Sequence, residues 1–287
     1  MNDETRQSVS EKIEQTVEAA EEVVRHPYTK KLAELGFYTK GVLFIVIGVL
    51  ALMVATGQKG AELADPTGAM TQIARVRYGK ILLIIFIVGA IGHGVWNILR
   101  GAADVDDAGK NWQGIGKRVI AGGVGVFYLF LAWTAWTIIT TSQVAVQNGA
   151  IQKTLTAIIL ALPLGTILVM LIGLSVIGAG INECYRGLTG KFQEDFRLRE
   201  LKGNKRRIVT VLGALSFTAR AVIFGLMGYF FILAAFNSNP NEAMGIDGAL
   251  LILAQSYYGK ILLFIAATGL ICHGVLSLYE ARYRRIC

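Results

Sequence analysis

Apolar residues gather into six long runs separated by short polar stretches, at about Phe37–Thr56, Lys80–Leu99, Val119–Ile139, Gly165–Cys184, Val211–Phe236 and Gly259–Leu278. Each approaches the ~20 residues an α-helix needs to cross ~30 Å of hydrocarbon. No run alternates as a closed barrel would require, and a helix is the other way to cross without stranding backbone N–H and C=O groups. The pattern therefore predicts six transmembrane helices. Three shorter amphipathic stretches lie between pairs of runs, at Pro66–Val76, Thr154–Leu162 and Asp247–Gln255, and predict short helices on the outer membrane surface. The apolar stretch Leu155–Ile181 is too long for one untilted span. Pro163 divides it, because proline disfavours helix at the residue before it.

The same segment recurs. Tyr78-Gly79-Lys80-Ile81-Leu82-Leu83 returns unchanged as Tyr258-Gly259-Lys260-Ile261-Leu262-Leu263, and ten residues after each copy comes His-Gly-Val, at His93–Val95 and His273–Val275. At the same offset of 180, Lys40 falls on Arg220, Phe44 on Phe224, Gly48 on Gly228 and Ala74 on Ala254. A more diverged middle copy opens at Arg118 and carries Gly165 where the others have Gly79 and Gly259. Identity at fixed register marks an array of one unit, here span, surface helix, span. Such a unit starts and ends on one side of the membrane, so its copies are related by an axis along the membrane normal. The expected fold is an all-α pseudo-threefold bundle of three two-helix hairpins. The expected organisation is an acidic segment at 1–34, repeats at 35–104 and 115–192, a basic loop at 193–210, and a third repeat with its tail at 211–287.

Three hairpins, each with a basic residue before a Gly-rich first span and a Tyr-Gly or Leu-Gly before the second, resemble the bacterial membrane proteins grouped as domain of unknown function 1206. The resemblance runs from Leu35 to Arg285. It implies six spans, an internal triplication and a place in the bacterial cytoplasmic membrane, and it brings no activity or catalytic residues with it.

Composition agrees with membrane residence. Charged residues make up 17% of the chain, against about 25% in soluble domains, and the mean hydropathy is +0.52. Residues 1–34 are Glu-rich without an apolar core, so no cleavable signal peptide is expected. Of the 28 Lys and Arg residues, 22 fall in the N-terminal segment, the second and fourth loops and the tail. That bias places both termini in the cytoplasm and accounts for the net charge of +8 without a nucleic acid. The expected partners are the lipid bilayer, with anionic headgroups at the basic loop, and a membrane protein or a second copy of the chain. Cys184, Cys272 and Cys287 have no metal-type spacing and would lie toward a reducing compartment, so disulfides are not expected. Ser8–Arg25 reads as an amphipathic helix opened by the capping box Ser8-x-x-Glu11. It could be solvated, or could dock on a partner or on the basic stretch Lys202–Arg207.

Candidate chemistry lies on the second span of each copy. Gly89, His93, Asn97 and Arg100 fall on one helix face, as do Ser175, Ala179, Glu183 and Arg186, and Gly269, His273, Ser277 and Glu280. Ionisable groups are costly toward lipid, so these faces should turn inward, with Gly89, Ser175 and Gly269 allowing close approach of neighbouring helices. Lys40, Arg118 and Arg220 open the first spans near the inner edge.

Two readings follow. In one, the groups bond across helices and fix the packing, at ~0.6–2 kcal/mol each. In the other, His93, Asn97, Glu183, Arg186, His273, Ser277 and Glu280 line a cytoplasm-facing polar vestibule for a proton, an ion or a polar ligand, histidine titrating near neutral pH. Haem held by two imidazoles is a lesser alternative, and zinc is weaker because the third equivalent position is Ala179. Gly122-Gly123-Val124-Gly125 lacks the strand–loop–helix context of a phosphate loop, and no nucleophile–base pair or acid/base carboxylate pair stands out. The expectation is a non-enzymatic membrane module without cofactor or metal that acts by packing or scaffolding, with a small transporter or channel as the alternative.

Overall fold

The computed structural model describes residues 27–58, 62–63, 65–104, 108–109, 111–141, 150–196 and 204–283. The expected helix at Ser8–Arg25 and most of the basic stretch Lys202–Arg207 lie outside the described residues. The elements run α1 (Pro27–Ala55), α2 (Pro66–Arg75), α3 (Gly79–Ala102), α4 (Trp112–Thr141), α5 (Ala150–Leu160), α6 (Gly165–Thr189), α7 (Asn204–Phe236), α8 (Ile246–Gln255) and α9 (Gly259–Tyr283), with 3₁₀ turns at Lys191–Asp195 and Pro240–Glu242. Six of them, α1, α3, α4, α6, α7 and α9, are long and apolar enough to cross a membrane. The chain is a multi-pass membrane protein, and α2, α5 and α8 are the three short helices between its spans.

The spanning helices outrun the apolar stretches, always at the end where the chain's termini lie. There α1 begins at Pro27, α4 at Trp112 and α7 at Asn204, while α6 runs on to Thr189 and α9 to Tyr283. Hydropathy ends where the hydrocarbon would end, but a helix continues until something stops it. For α6 the stop is Gly190, at φ +71°, the left-handed position that glycine adopts without strain.

At the opposite face each short helix turns straight back into a span. Asp65 caps α2 by accepting the Gly68 N–H at 2.8 Å, and Pro66 occupies the first helical position. The glycine of each Tyr-Gly or Leu-Gly motif then lies against the end of the short helix. A Cβ on Gly79, Gly165 or Gly259 would overlap the carbonyl of Ile73, Ile159 or Ala254, respectively. Pro163 sits between α5 and α6 as expected, and Leu164 after it is forced to φ +65°.

The tightest helix pairs join consecutive repeats: α3 with α4, α6 with α7, and α9 with α1. Each is a backbone-to-backbone contact through reciprocal glycines, Gly94 with Gly125, Gly173 with Gly228, and Gly274 with Gly41. A Cβ on any of the six would come within 2.6–2.9 Å of the opposite carbonyl oxygen, the close approach that small residues permit in membranes. Within repeats, α1 packs on α3 and α7 on α9 less extensively, and among the described residues α4 and α6 make at most marginal contact. The spans thus follow one another as α4, α3, α1, α9, α7 and α6, with a seam between the two spans of the middle repeat. The expected threefold bundle is therefore an incomplete ring. Ser175 and Ala179, expected to face inward, are exposed at this seam-bearing repeat.

The apolar core draws on the repeats together, through Leu43, Ile47, Met70, Leu83, Leu131, Ile223, Leu250, Leu263 and Leu270, all essentially inaccessible. A second cluster, Phe192, Phe196, Val209, Phe217 and Leu276, tucks the 3₁₀ turn Lys191–Asp195 under α7 and α9 at the terminal face.

Candidate functional site

Most of the polar residues expected on the second spans meet in the interior: His93 and Asn97 from α3, Glu183 from α6, and His273, Ser277 and Glu280 from α9 are all buried. The first spans add Lys40 from α1 and Arg220 from α7. Each imidazole stands where three helices meet. His93 packs against Gly36 and Phe37 of its own repeat, the Phe37 ring at 5.2 Å, and edge-on to Tyr128 of α4 at 4.5 Å. His273 meets Ser216 and Arg220 of its own repeat and Phe44 of α1, edge-on at 4.6 Å. Tyr128, Phe44 and Phe224 occupy one register, that of Gly125, Gly41 and Ala221 three residues before them, whose carbonyls face Gly94, Gly274 and Gly180.

Arg220 is the most connected of these residues. It forms an ion pair with Glu183 on α6, and its Nη1 lies 3.1 Å from both ring nitrogens of His273 on α9. Guanidinium only donates, so it needs a lone pair of that imidazole. The other contact of Nδ1 is Ser216 Oγ, at 2.9 Å. With its nitrogens engaged in this way, His273 is poorly placed to ligate haem iron. The Arg220 guanidinium also lies over the rings of Phe217 and Phe224, at 5.3 and 5.6 Å. Phe192 stacks on Phe217 at 5.0 Å, so aromatic rings cover the terminal side of this cation.

At the α1/α9 junction the equivalent cation, Lys40, pairs with Glu280 at 3.6 Å. The α3/α4 junction has Val124 in that register and carries the Tyr128–His93 contact instead. Two cations and two carboxylates thus form two mixed pairs, each joining different helices. Asn97 and Ser277, at equivalent positions, turn back on their own helices: Asn97 Nδ2 donates to His93 O at 2.8 Å and Ser277 Oγ to His273 O at 2.9 Å.

Two expected members lie elsewhere. Arg118 is not the counterpart of Lys40 and Arg220. It sits lower on α4 and donates to the carbonyls of Gly101 and Ala102 at 2.7 and 2.6 Å, closing the C-terminus of α3. Arg186 is half-buried over the outer part of Phe217, at 5.2 Å. Both lie beyond the interior cluster because a position one or two turns past the span clears the hydrocarbon. Sequence reasoning missed Ser216 and Tyr128. Ser216 was concealed by its counterpart Gly36, whose missing side chain leaves room for His93. Tyr128 was legible only by aligning it with Phe44 and Phe224.

Comparison with known proteins places these features in a family context. The family model described as Domain of Unknown Function (DUF1206) matches three times, at residues 35–104, 121–190 and 215–284. An uncharacterised protein of Bacillus subtilis (strain 168) is 32% identical over 260 residues, covering 91% of this chain and 93% of the relative. No solved structure matches the chain significantly.

Proposed function

The chain belongs to the DUF1206 family, and from that premise we propose that it is a non-enzymatic packing module of the bacterial cytoplasmic membrane, with both termini on the cytoplasmic side. Its buried polar groups act as cross-links that hold the repeats in register, and its outer faces meet lipid and neighbouring membrane proteins. The observation that carries this reading is the engagement of Arg220, whose charge is taken up by Glu183 on one neighbouring helix and His273 on another. Groups so occupied serve cohesion. The donors of Asn97 and Ser277, spent on their own helices, point the same way.

The rival reading, a small transporter or channel, draws support from five ionisable groups within the spans, Lys40, Glu183, Arg220, His273 and Glu280, beside an incomplete ring of helices. Replacing His93 and His273 together by Ala separates the two. Packing predicts a protein that unfolds more easily, with proteoliposomes whose proton and cation permeability equals that of empty vesicles before and after the change. A wild-type flux that the double variant abolishes while remaining folded would sink the packing reading. Labelling of single cysteines placed at either terminus in intact cells tests the orientation.

A further inference from the structure

The face opposite the termini holds a group of oxygens that the interior network does not use. Asp65 caps α2 and is 1% exposed. Two residues on, Thr67 is equally buried, and its Oγ1 has no hydrogen-bond partner. Asp247 occupies the same position in α8 as Thr67 in α2, at the repeat offset of 180, and its Oδ1 is likewise buried without a partner. Gln152, in the first turn of α5, presents a third such atom, Oε1. The three short helices come together here. A Cβ on Gly245 would lie 2.7 Å from Gln152 Nε2 and 2.9 Å from Asp247 Oδ1, so these side chains flank one point. The Asp65 carboxylate is near enough to Asp247 to act on its charge.

Electrostatics at this place leave a negative excess. Burial first, and then the Asp65 carboxylate, push the Asp247 pKa above the ordinary carboxylate value. Opposing them are the N–H groups of Gly248 and Asp247 itself, the positive end of α8 and the Lys153 ammonium. The shift is upward in spite of them.

We propose that the first turns of α2, α5 and α8 form an all-oxygen site for a hard divalent cation of the calcium type. Asp65 and Asp247 supply the compensating charge, and Thr67 Oγ1 and Gln152 Oε1 are neutral ligands. Oxygen-only donors select hard cations. Calcium accepts six to eight oxygens in irregular geometry, whereas magnesium demands a near-ideal octahedron, which donors from three separate helices are ill suited to provide. Bound there, the ion would staple one element of each repeat to the others at the face where the middle repeat is least tied to the rest.

The test uses the full chain in a neutral detergent, with CaCl2 as the probe in calorimetric titration and in thermal unfolding, after EDTA treatment. Saturable binding and a rise in the unfolding temperature are expected, with MgCl2 weaker. Asp247→Asn should weaken calcium binding at this site at least tenfold and remove the thermal shift, and Thr67→Val should weaken it less. The Glu-rich N-terminal segment also attracts cations, so the difference between wild type and Asp247→Asn is the quantity that counts. Size-exclusion elution of each variant as wild type shows that loss of binding is not loss of fold. Absence of a calcium effect, or an effect undiminished in Asp247→Asn, overturns the proposal. So does Asp247→Asn stabilising the EDTA-treated protein while calcium does nothing to the wild type, which would show that a proton on Asp247 satisfies Gln152.

Discussion

Replacing Arg220 by Met asks whether the interior network is a set of cross-links or a collection of independent contacts. The side chains of Arg220 and Glu183 are 15% and 10% exposed, so solvent screens their attraction little. Removing one partner of such a pair strands the other charge, at about 3–5 kcal/mol. The two Nη1 contacts to His273 add less, since interhelical hydrogen bonds in membranes average only ~0.6 kcal/mol. Arg220→Met should therefore lower the unfolding free energy by roughly 4 kcal/mol, mostly through the abandoned carboxylate. Removing both charges is a different matter. A buried ion pair exchanged for apolar groups of similar volume is often nearly neutral, so Arg220→Met with Glu183→Met should cost about 1–2 kcal/mol, the residue of the His273 and aromatic contacts. The cycle should show a coupling of at least ~2 kcal/mol. Unfolding in a neutral detergent, titrated with sodium dodecyl sulfate and followed by tryptophan fluorescence, measures all four corners. Singles that add, with coupling under ~0.5 kcal/mol, would refute the reasoning, because the two charges would then not share one desolvated environment. Arg220→Lys keeps the charge but loses the fork that reaches Glu183 and His273 together, and should fall between wild type and Arg220→Met.

Other consequences are open to simpler assays. On α4, Gly125→Ala should destabilise by about 1–3 kcal/mol through overpacking, since its Cβ would lie 2.6 Å from Gly94 O, whereas Gly123→Ala, with nothing within 4 Å, should be neutral or slightly stabilising; paired unfolding temperatures decide. Leu164→Gly should stabilise by about 1–2 kcal/mol, because a side chain at φ +65° carries a left-handed penalty that glycine lacks, and Leu164 is exposed; the same unfolding assay reads it. Asp247, its pKa raised by burial and by Asp65, binds its proton more tightly in the folded chain than in the unfolded one. Its contribution is then full below the ordinary value of 3.8 and declines as pH rises through the raised folded value. Unfolding free energies of the EDTA-treated protein against pH should show that decline, and Asp247→Asn should remove it.

What could be read from the sequence, and what could not, follows from what each signal measures. The length of an apolar run measures a bilayer, so the six spans were legible, and identity at fixed offset exposed the repeat. Neither says which helix neighbours which. The tightest interfaces join consecutive repeats, and their mark in the sequence is the glycine after His93 and His273, paired with Gly125 and Gly41 on the next first span. The polar faces were legible in part. His93, His273, Glu183, Glu280, Lys40 and Arg220 lie within the hydrocarbon run and share the interior, whereas Arg118 and Arg186 do not.

The seam in the middle repeat also has its origin in particular residues. In the first and third repeats, two features bring the second span against the first. One is a glycine, where the space a Cβ would need is taken by Thr39 or Ala219, opposite Gly89 and Gly269. The other is an imidazole seated on Gly36 and Phe37, or bonded to Ser216 and Arg220. The middle repeat has Ser175 in place of the glycine and Ala179 in place of the histidine, and both are exposed. Its second span has lost the room and the handle at once, so α6 remains bound to α7 through Gly173 and Gly228 while α4 remains bound to α3. A pattern repeated three times therefore yields three like interfaces between repeats and only two within them, and the ring stays incomplete where the missing pair of residues would have joined it.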